Sequence, residues 1–211
     1  MTPRESMYEK LGTIVVAALE QRHFAAQYCA TSEDAKAAVL ALIEKDKVVS
    51  WGGSMTVTGL GIQAALKERG QPVLDRDTVQ TPAEKKAIMK QAMTSDVYLM
   101  SANAISVDGC LVNMDGNGNR LAALLYGPDQ VIVVAGMNKV VSTVEDAVQR
   151  VRNLAAPMNA QRFPGVSPCR VTGSCADCLS LDSICAQLVI TRLCKPAGRI
   201  HVILVGEDLG M

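Results

Sequence analysis

This sequence has few aromatic residues and no excess of charge of either sign. It contains one Trp, four Tyr and two Phe, and its 21 basic residues balance its 21 acidic ones. A protein with no excess of basic residues cannot neutralise a phosphate backbone, and seven aromatic side chains are too few to form a base-stacking surface. Nucleic-acid binding is therefore not expected. No apolar run approaches the length of a membrane span, and the first six residues lack the apolar core of a signal peptide. We therefore expect a cytoplasmic protein without a membrane span.

The 211 residues are enough for one domain, residues 1–211, with a substantial core. The pattern predicts strands at residues 48–51, 72–75, 96–100, 131–135 and 199–205, and an edge strand within 23–30. It predicts helices at residues 5–20, 31–45, from 81 onward, 143–155 and 183–193. Because the strands are apolar runs that alternate with helices, we expect an α/β fold with a mainly parallel sheet flanked by helices. Residues 131–135, the longest such run, are expected at its centre.

Polar residues are concentrated in the stretch from 101 to 120, directly beyond the strand at 96–100. Asp-Gly at 108–109 favours a tight hairpin, and a second turn signal follows at 115–118. Ligands of α/β sheets bind beyond the carboxyl ends of strands. Turn chemistry alone is the alternative explanation for this stretch, but it does not account for Asn103 or Arg120. The pattern therefore predicts a ligand site formed by Asn103, Asp108, Asn113, Asp115, Asn119 and Arg120.

A glycine loop, Gly52-Gly53-Ser54, lies between a predicted strand and a predicted helix. Backbone N–H groups at a helix start can bind an anion, and glycine permits close approach. The loop lacks both the P-loop pattern and the dinucleotide fingerprint, and an ordinary strand-to-helix turn also requires small residues. We expect it to form one cleft with the polar stretch.

Each residue of this cleft has a predicted role. Asp108 and Asp115 are the candidate acid–base groups, because a carboxyl group in a pocket can have its pKa raised into a useful range. The predicted substrate-binding residues are Gly52, Gly53, Ser54, Asn103, Asn113, Asn119 and Arg120.

Five of the seven cysteines crowd residues 165–195. Cys169, Cys175, Cys178 and Cys185 can supply four thiolates, the number that a structural zinc or a 4Fe–4S cluster requires. Their spacing matches neither the common ferredoxin patterns nor the usual zinc ribbon, and four separate buried thiols are the alternative. We predict one metal site, which the spacing does not assign to iron–sulfur or to zinc. Cys194 is expected to be a packing residue or a spare thiol.

Eight short motifs occur here in the order in which a known family has them. They are WGGSMT at 51–56, SANAI at 101–105, DG at 108–109, LVNMDG at 111–116, GNR at 118–120, VAGMNK at 134–139, RVRN at 150–153 and RIHV at 199–202. Over nearly its whole length the chain resembles the lactate-utilisation (LUD) domain family, formerly a domain of unknown function. The cysteine segment resembles that of a stand-alone subset of this family.

The resemblance implies a fold similar to ribose-5-phosphate isomerase, glucosamine-6-phosphate deaminase and CoA transferases, which bind phosphosugars or CoA thioesters at strand ends. It also favours a 4Fe–4S cluster over zinc, because family members are associated with iron–sulfur lactate-oxidation operons. The lactate-operon subunits often lack the cysteine segment, so its presence weakens the identification of this chain with such a subunit.

Two functions are therefore considered. The first is an enzyme or catalytic subunit of anaerobic metabolism that handles a small anionic metabolite: a hydroxy acid, a sugar phosphate or an acyl-CoA. The second is a non-catalytic electron-transfer or assembly subunit whose metal site is mainly structural and whose partners are other iron–sulfur oxidation subunits. The sequence leaves open the substrate, the catalytic status and the oligomeric state, a homo-oligomer included.

Overall fold

The computed structural model describes residues 1–211, along which strands and helices alternate. The helices are α1 (Pro3–Gln21), α2 (Ser32–Ala41), α3 (Met55–Gly59), α4 (Ile62–Glu68), α5 (Pro82–Gln91), α6 (Asn119–Leu125), α7 (Val144–Arg150), α8 (Ala156–Ala160) and α9 (Pro168–Thr172). The strands are β1 (Ala25–Cys29), β2 (Val49–Trp51), β3 (Val73–Leu74), β4 (Val97–Met100), β5 (Ala104–Ser106), β6 (Leu111–Asp115), β7 (Gln130–Gly136), β8 (Val140–Val141), β9 (Gln187–Thr191) and β10 (Ile200–Val205). Short 3₁₀ turns span Arg76–Thr78, Ala92–Thr94 and Met137–Lys139, and a π-helical segment, Val151–Ala155, joins α7 to α8.

Six strands form the main sheet in the order β1-β10-β7-β4-β2-β3, and every neighbouring pair is parallel. Strand β7 lies in the interior of the sheet between β10 and β4, and β1 lies at one edge. The predicted fold class, an α/β fold with a mainly parallel sheet, is confirmed. So are the central place of residues 131–135 and the edge strand within 23–30.

The two faces of β7 explain its unbroken apolar sequence. Val131, Val133 and Ala135 point into a core that includes residues of α1 and α6. Ile132 and Val134 point the other way, into a core that includes residues of α2, α3 and α4. Successive side chains of a strand face opposite sides of the sheet, so a strand covered by helices on both sides has no position for a polar residue. Burying a Val or Ile side chain stabilises the fold by about 1.5–3 kcal/mol.

A second, smaller sheet has the strand order β8-β5-β6-β9. Strands β5 and β6 form the predicted antiparallel hairpin, with Asp108 and Gly109 in its turn. Gly109 has a φ of 87°, which only glycine adopts without strain. A Cβ at this position would also lie 2.8 Å from the carbonyl carbon of Ala18 in α1. The hairpin tip therefore packs against the first helix.

The predicted helix at residues 183–193 is wrong. This region contains β9, which pairs antiparallel with the outer edge of β6, with Asn113 opposite Val189 and Asp115 opposite Gln187. The consecutive β-branched residues Val189, Ile190 and Thr191 favour an extended backbone. The unpaired edge of β6 supplies the hydrogen-bond partners, which the local pattern alone does not reveal.

The helix start predicted at residue 81 is confirmed: Thr81 and Glu84 form a capping box, and Pro82 is the first helical residue. Helix α2 is capped by Thr31 but ends at Ala41 rather than near residue 45. The Arg69 guanidinium donates to the carbonyl oxygens of Leu40 and Ile43, at and just beyond this end, at 2.8 and 3.0 Å. None of the helices combines the length and the apolar character needed to cross a bilayer.

Candidate functional site

A cleft of about 990 Å³ opens beyond the carboxyl ends of β2, β4 and β7, three neighbouring strands of the main sheet. Gly52 follows β2 at once, Ser101 follows β4, and Lys139 lies three residues after β7. Because the strands are parallel, the loops that follow them emerge on the same rim. The predicted residues that line the cleft are Gly52, Gly53, Ser54, Asn103, Asp115, Asn119 and Arg120.

The side chains of Tyr98, Arg120 and Arg76 approach the glycine loop closely. A Cβ on Gly52 would lie 3.1 Å from Cδ of Arg120, and a Cβ on Gly53 would lie 2.8 Å from Nη2 of Arg76. The Gly52 N–H donates to Leu99 O at 3.1 Å and so continues the pairing of the main sheet. Ser54 caps α3, its Oγ accepting from Val57 N at 3.2 Å. The glycines thus admit basic side chains to the cleft wall.

Arg120 is the centre of a hydrogen-bond network beneath this loop. Its Nη1 donates to Ser101 O at 3.0 Å and to Asn113 Oδ1 at 3.2 Å. Its Nη2 donates to Asn103 Oδ1 at 3.0 Å and to Met114 O at 2.7 Å. Burial lowers the pKa of Arg120 from its ordinary value, and Asp115 opposes that change. Arg120 therefore ties β4, β6 and α6 together, and most of its donors are used within the protein.

Asp115 and Asn113 also have structural partners. Asp115 Oδ2 accepts from the backbone N–H groups of Arg120 and Leu121 at the start of α6, at 3.1 and 3.4 Å. Asn113 is fully buried and lies behind the cleft rather than in its lining. Its Oδ1 accepts from the Asn103 backbone N–H at 3.2 Å, while its buried Nδ2 has no hydrogen-bond partner. Of these two side chains only Asp115 reaches the cleft.

Asp108 lies outside the cleft, at the tip of the β5–β6 hairpin. Its carboxylate accepts from Ser106 Oγ and, at 2.5 Å, from Arg22 Nη2 at the end of α1. The hydrogen bond from Ser106 holds the pKa of Asp108 below its ordinary value, and Arg22 adds to this effect while burial opposes it. The expectation that Asp108 and Asn113 would join the cleft does not match the structure, because one faces α1 and the other lies beneath Arg120.

The most unusual basic group of the cleft is Lys139, at the end of the 3₁₀ turn Met137–Lys139. Only 3% of its surface is exposed. Its Nζ donates to Ser101 Oγ at 2.7 Å and to Thr56 Oγ1 at 2.9 Å. Burial, together with the positive charges of Arg150 and Arg120, lowers the pKa of Lys139 to about 7.

Arg150, near the end of α7, lies beside this lysine. Its Nε donates to Asn138 O at 3.2 Å and its Nη1 to Asn103 O at 2.7 Å. Burial lowers the pKa of Arg150 from its ordinary value. Neither Lys139 nor Arg150 forms an ion pair with a carboxylate. The cleft therefore has a buried amine in its lining and a guanidinium beside that amine, and neither lies within ion-pair distance of a carboxylate.

The four predicted metal ligands line one smaller cavity, of about 200 Å³. Cys169, on α9, is buried, Cys175 and Cys178 are half-buried, and Cys185 is exposed at the rim. Partial burial of its thiol raises the pKa of Cys185 to about 11, with further contributions from the other three cysteines. Arg152 pairs with Asp177 at 2.5 Å across the Cys175–Cys178 loop.

These four thiols suit iron–sulfur or zinc in their number and chemistry. The structure draws no group of three or more His, Cys, Asp or Glu side chains into metal-binding geometry. Cys194 lies apart: its Sγ donates to Pro196 O at 3.1 Å and accepts from Ile200 N at 3.3 Å, as expected of a packing thiol.

The cysteine cavity and the cleft share a wall. Met114, Ser183 and Ile184 line both of them. Met114 belongs to β6, and Ser183 and Ile184 belong to the segment that leads from the cysteines to β9. The two sites are therefore neighbours beside strand β6.

Sequence reasoning missed Lys139, Arg150 and Arg76 as residues of this region. The rule that selected Asn103, a polar residue just beyond a buried strand, also applies to Lys139, because β7 is the most apolar strand of the chain. No local signal distinguishes Arg150 or Arg76, because their positions depend on how α7 and the turn after β3 pack.

Known proteins resemble this chain in both sequence and structure. The crystal structure of a DUF162 family protein from Deinococcus radiodurans has a TM-score of 0.55 at 16% identity, covering 94% of this chain and 98% of that one. The crystal structure of eIF2B delta from Chaetomium thermophilum has a TM-score of 0.32 at 16% identity, covering 66% of this chain and 54% of that one. No curated protein matches the sequence. DUF162 and the LUD domain are the same family. The LUD domain profile matches residues 13–205, and the chain therefore belongs to the LUD domain family.

Proposed function

We propose that this protein binds a small anionic metabolite, a hydroxy acid, sugar phosphate or acyl-CoA, in the cleft beside a four-cysteine iron–sulfur site. Membership of the LUD domain family supports a lactate-utilisation type of function at the level of the family. The observation that carries the proposal is the set of basic groups at the cleft: Arg76 and Lys139 line it, and half-buried Arg150 lies beside Lys139 without a carboxylate partner. Burying a charge is costly unless it is paired, so an anion in the cleft stabilises this arrangement.

The chain's own residues have distinct parts in this proposal. Arg76 and Lys139 face the cleft and would contact the anion, whereas Arg120 holds Asn103 in place. Asp115 lines the cleft and is the carboxylate candidate for proton transfer. Asp108 has no part in it, because its ion pair with Arg22 keeps it on another face.

Cys169, Cys175, Cys178 and Cys185 would hold the cluster, and an iron–sulfur cluster supplies one-electron transfer when bound. The shared wall at Met114, Ser183 and Ile184 supports a joint role, since an occupant of the cysteine cavity would lie next to the cleft. Arg152 lines the same cavity, and its positive charge opposes the rise in the pKa of Cys185 that burial causes.

Calorimetric titration with the three metabolite classes tests anion binding. Arg76→Gln removes a cleft charge whose ion pair with Asp77 is long, 3.9 Å, so the fold should tolerate the change. Losing one charge-assisted hydrogen bond, about 1.5–3 kcal/mol, should weaken binding roughly ten- to hundredfold. Arg192→Gln, at an exposed position outside the cleft, is the matched control and should leave affinity unchanged. Equal loss in both variants, or no binding by the wild type, would contradict the proposal.

Anaerobic reconstitution with iron and sulfide tests the cysteine site. Visible absorption should appear in the wild type and in the Cys29→Ser control, and should be lost in each of the four cysteine variants. Metal analysis separates zinc from iron, and binding of zinc alone would leave the four-cysteine site in place but remove the redox role.

A non-catalytic electron-transfer or assembly subunit is the second candidate. Leu179 and Leu181 are fully exposed beside the cysteines, which favours a surface that another subunit covers. Metal binding without binding of any anion from the panel would support this candidate over the first.

A further inference from the structure

The surroundings of Lys139 indicate the protonation state of its amine. A neutral amine has two N–H groups and one lone pair, whereas an ammonium group has three N–H groups. In the structure Nζ has two hydrogen-bond acceptors, Ser101 Oγ and Thr56 Oγ1, both hydroxyl oxygens. The charged groups that shift the pKa of this amine are Arg150 and Arg120, both cations. This environment fits the neutral amine and leaves its lone pair free.

The amine is buried but it belongs to the lining of the cleft, together with Ser101 and Thr56. Gly210, at the end of the chain, packs directly over it: a Cβ there would lie 2.6 Å from Thr56 Oγ1 and 3.4 Å from Nζ. Gly210 also has a φ of 63°. A larger residue at this position would fill the space in front of the amine, so the glycine keeps room around it.

We propose that Lys139 is a catalytic nucleophile that forms a Schiff base with an aldehyde or ketone bearing a carboxylate or phosphate group. The proposal rests on the anion-binding cleft and names the substrate class of that same site. The amine lone pair attacks the carbonyl carbon, a C–N bond forms, and the carbonyl electron pair moves to oxygen. The resulting carbinolamine then loses one molecule of water, and the imine nitrogen carries one proton taken from solvent. No oxidant or reductant takes part in this step.

Two features of the site suit this chemistry. The hydroxyl groups of Ser101 and Thr56 already accept the N–H protons, so they are in place to pass protons between nitrogen and the departing oxygen. The protonated imine adds positive charge next to Arg150 and Arg120, which a neutral substrate would leave unbalanced. A carboxylate or phosphate on the substrate offsets that charge, which is why the substrate class is anionic.

Reductive trapping tests the proposal on the full chain. The protein is incubated with sodium cyanoborohydride and either glyoxylate or pyridoxal 5′-phosphate, and the adduct is located by mass spectrometry of its peptides. At neutral pH the neutral fraction of an amine with a pKa near 7 exceeds that of an ordinary lysine about a thousandfold. We therefore expect one adduct, on Lys139, and much slower labelling of Lys47, which is partly exposed. Pyridoxal, which lacks the phosphate, should label Lys139 at least tenfold more slowly.

Lys139→Gln should lose the adduct, and Lys47→Gln, at the opposite end of β2, should keep it. Equal labelling of all lysines would overturn the proposal. So would the absence of an adduct in a protein that binds phosphate by calorimetry; the anion cleft would then stand, with Lys139 as an ammonium donor. Absence of both the adduct and anion binding would overturn the proposed function as well.

Discussion

Replacing Lys139 by methionine should change the stability of the protein in a direction that depends on pH. The pKa of this amine falls from 10.5 to about 7 in the folded protein because burial disfavours its charged form. Between these values the unfolded chain binds more protons than the folded protein, so the wild type gains stability as pH rises. Below pH 7 both states are protonated, and the folded state carries the full cost of the buried charge.

The magnitude of that cost follows from the same two pKa values. The buried amine costs the wild type about 5 kcal/mol at pH 6 and about 1 kcal/mol at pH 10. Methionine has a similar length and removes this cost. It also removes the hydrogen bonds to Ser101 and Thr56, worth about 1 kcal/mol each. Lys139→Met should therefore be about 3 kcal/mol more stable than the wild type at pH 6 and about 1 kcal/mol less stable at pH 10.

Urea unfolding at the two pH values measures this difference directly. The other groups that titrate between pH 6 and pH 10 are present in both the wild type and Lys139→Met. The pH dependence of the stability difference between the two proteins therefore reports the titration of Lys139, while Arg120 and Arg150 stay protonated. Lys47→Met is the matched control and should follow the wild type at both pH values, because Lys47 is partly exposed and forms only a long, 3.8 Å ion pair. A stability difference that does not change with pH would refute the reasoning, since the amine would then be charged in the folded protein.

Three further outcomes are expected. Gly136→Ala should lower the free energy of unfolding by several kcal/mol in urea titration, because a Cβ there would lie 2.5 Å from Glu207 O and 2.7 Å from Leu209 N, both backbone atoms. At Gly59, a Cβ would have no neighbour within 4 Å, so Gly59→Ala should raise the free energy of unfolding by about 0.5–1 kcal/mol. A similar loss of stability in the two variants would contradict this expectation. Asp108→Asn should cost less than about 1 kcal/mol near pH 7, since its ion pair is half-exposed. This cost should disappear as pH falls below the lowered pKa of Asp108, and anion affinity by calorimetry should not change; a change would place Asp108 in the cleft's chemistry.

The main sheet could be predicted because its signals are local. Strand β7 has to be apolar on both faces, and Thr81-Pro82 with Glu84 can begin a helix without reference to the rest of the chain. The segment containing β9 differs, because its conformation depends on β6, about 75 residues earlier in the chain. The apolar residues of this segment fit the spacing of a helix as well as that of a strand, so the pattern alone does not decide between the two.

The cleft was predictable in place but not in detail. The strand-end rule brought the glycine loop, Asn103 and Arg120 to one rim, since parallel strands share a direction. The same rule could not show that the Arg120 side chain donates four hydrogen bonds to groups of the protein itself. Nor could it show that the turn containing Asp108 faces α1. The lowered pKa of Lys139 results from its burial, which residue type and spacing do not disclose.

The pairing of β9 with β6 also places one residue between the two cavities. Met114 lies opposite Leu188 in that pairing and lines both cavities. Its backbone N–H donates to Asn103 Oδ1 at 2.9 Å, and its carbonyl accepts from Arg120 at 2.7 Å. A displacement of Met114 by an occupant of the cysteine cavity would therefore act on the two residues that order the cleft. Strand β9, which the local pattern predicts as a helix, thus packs beside the residue of β6 that separates the two cavities.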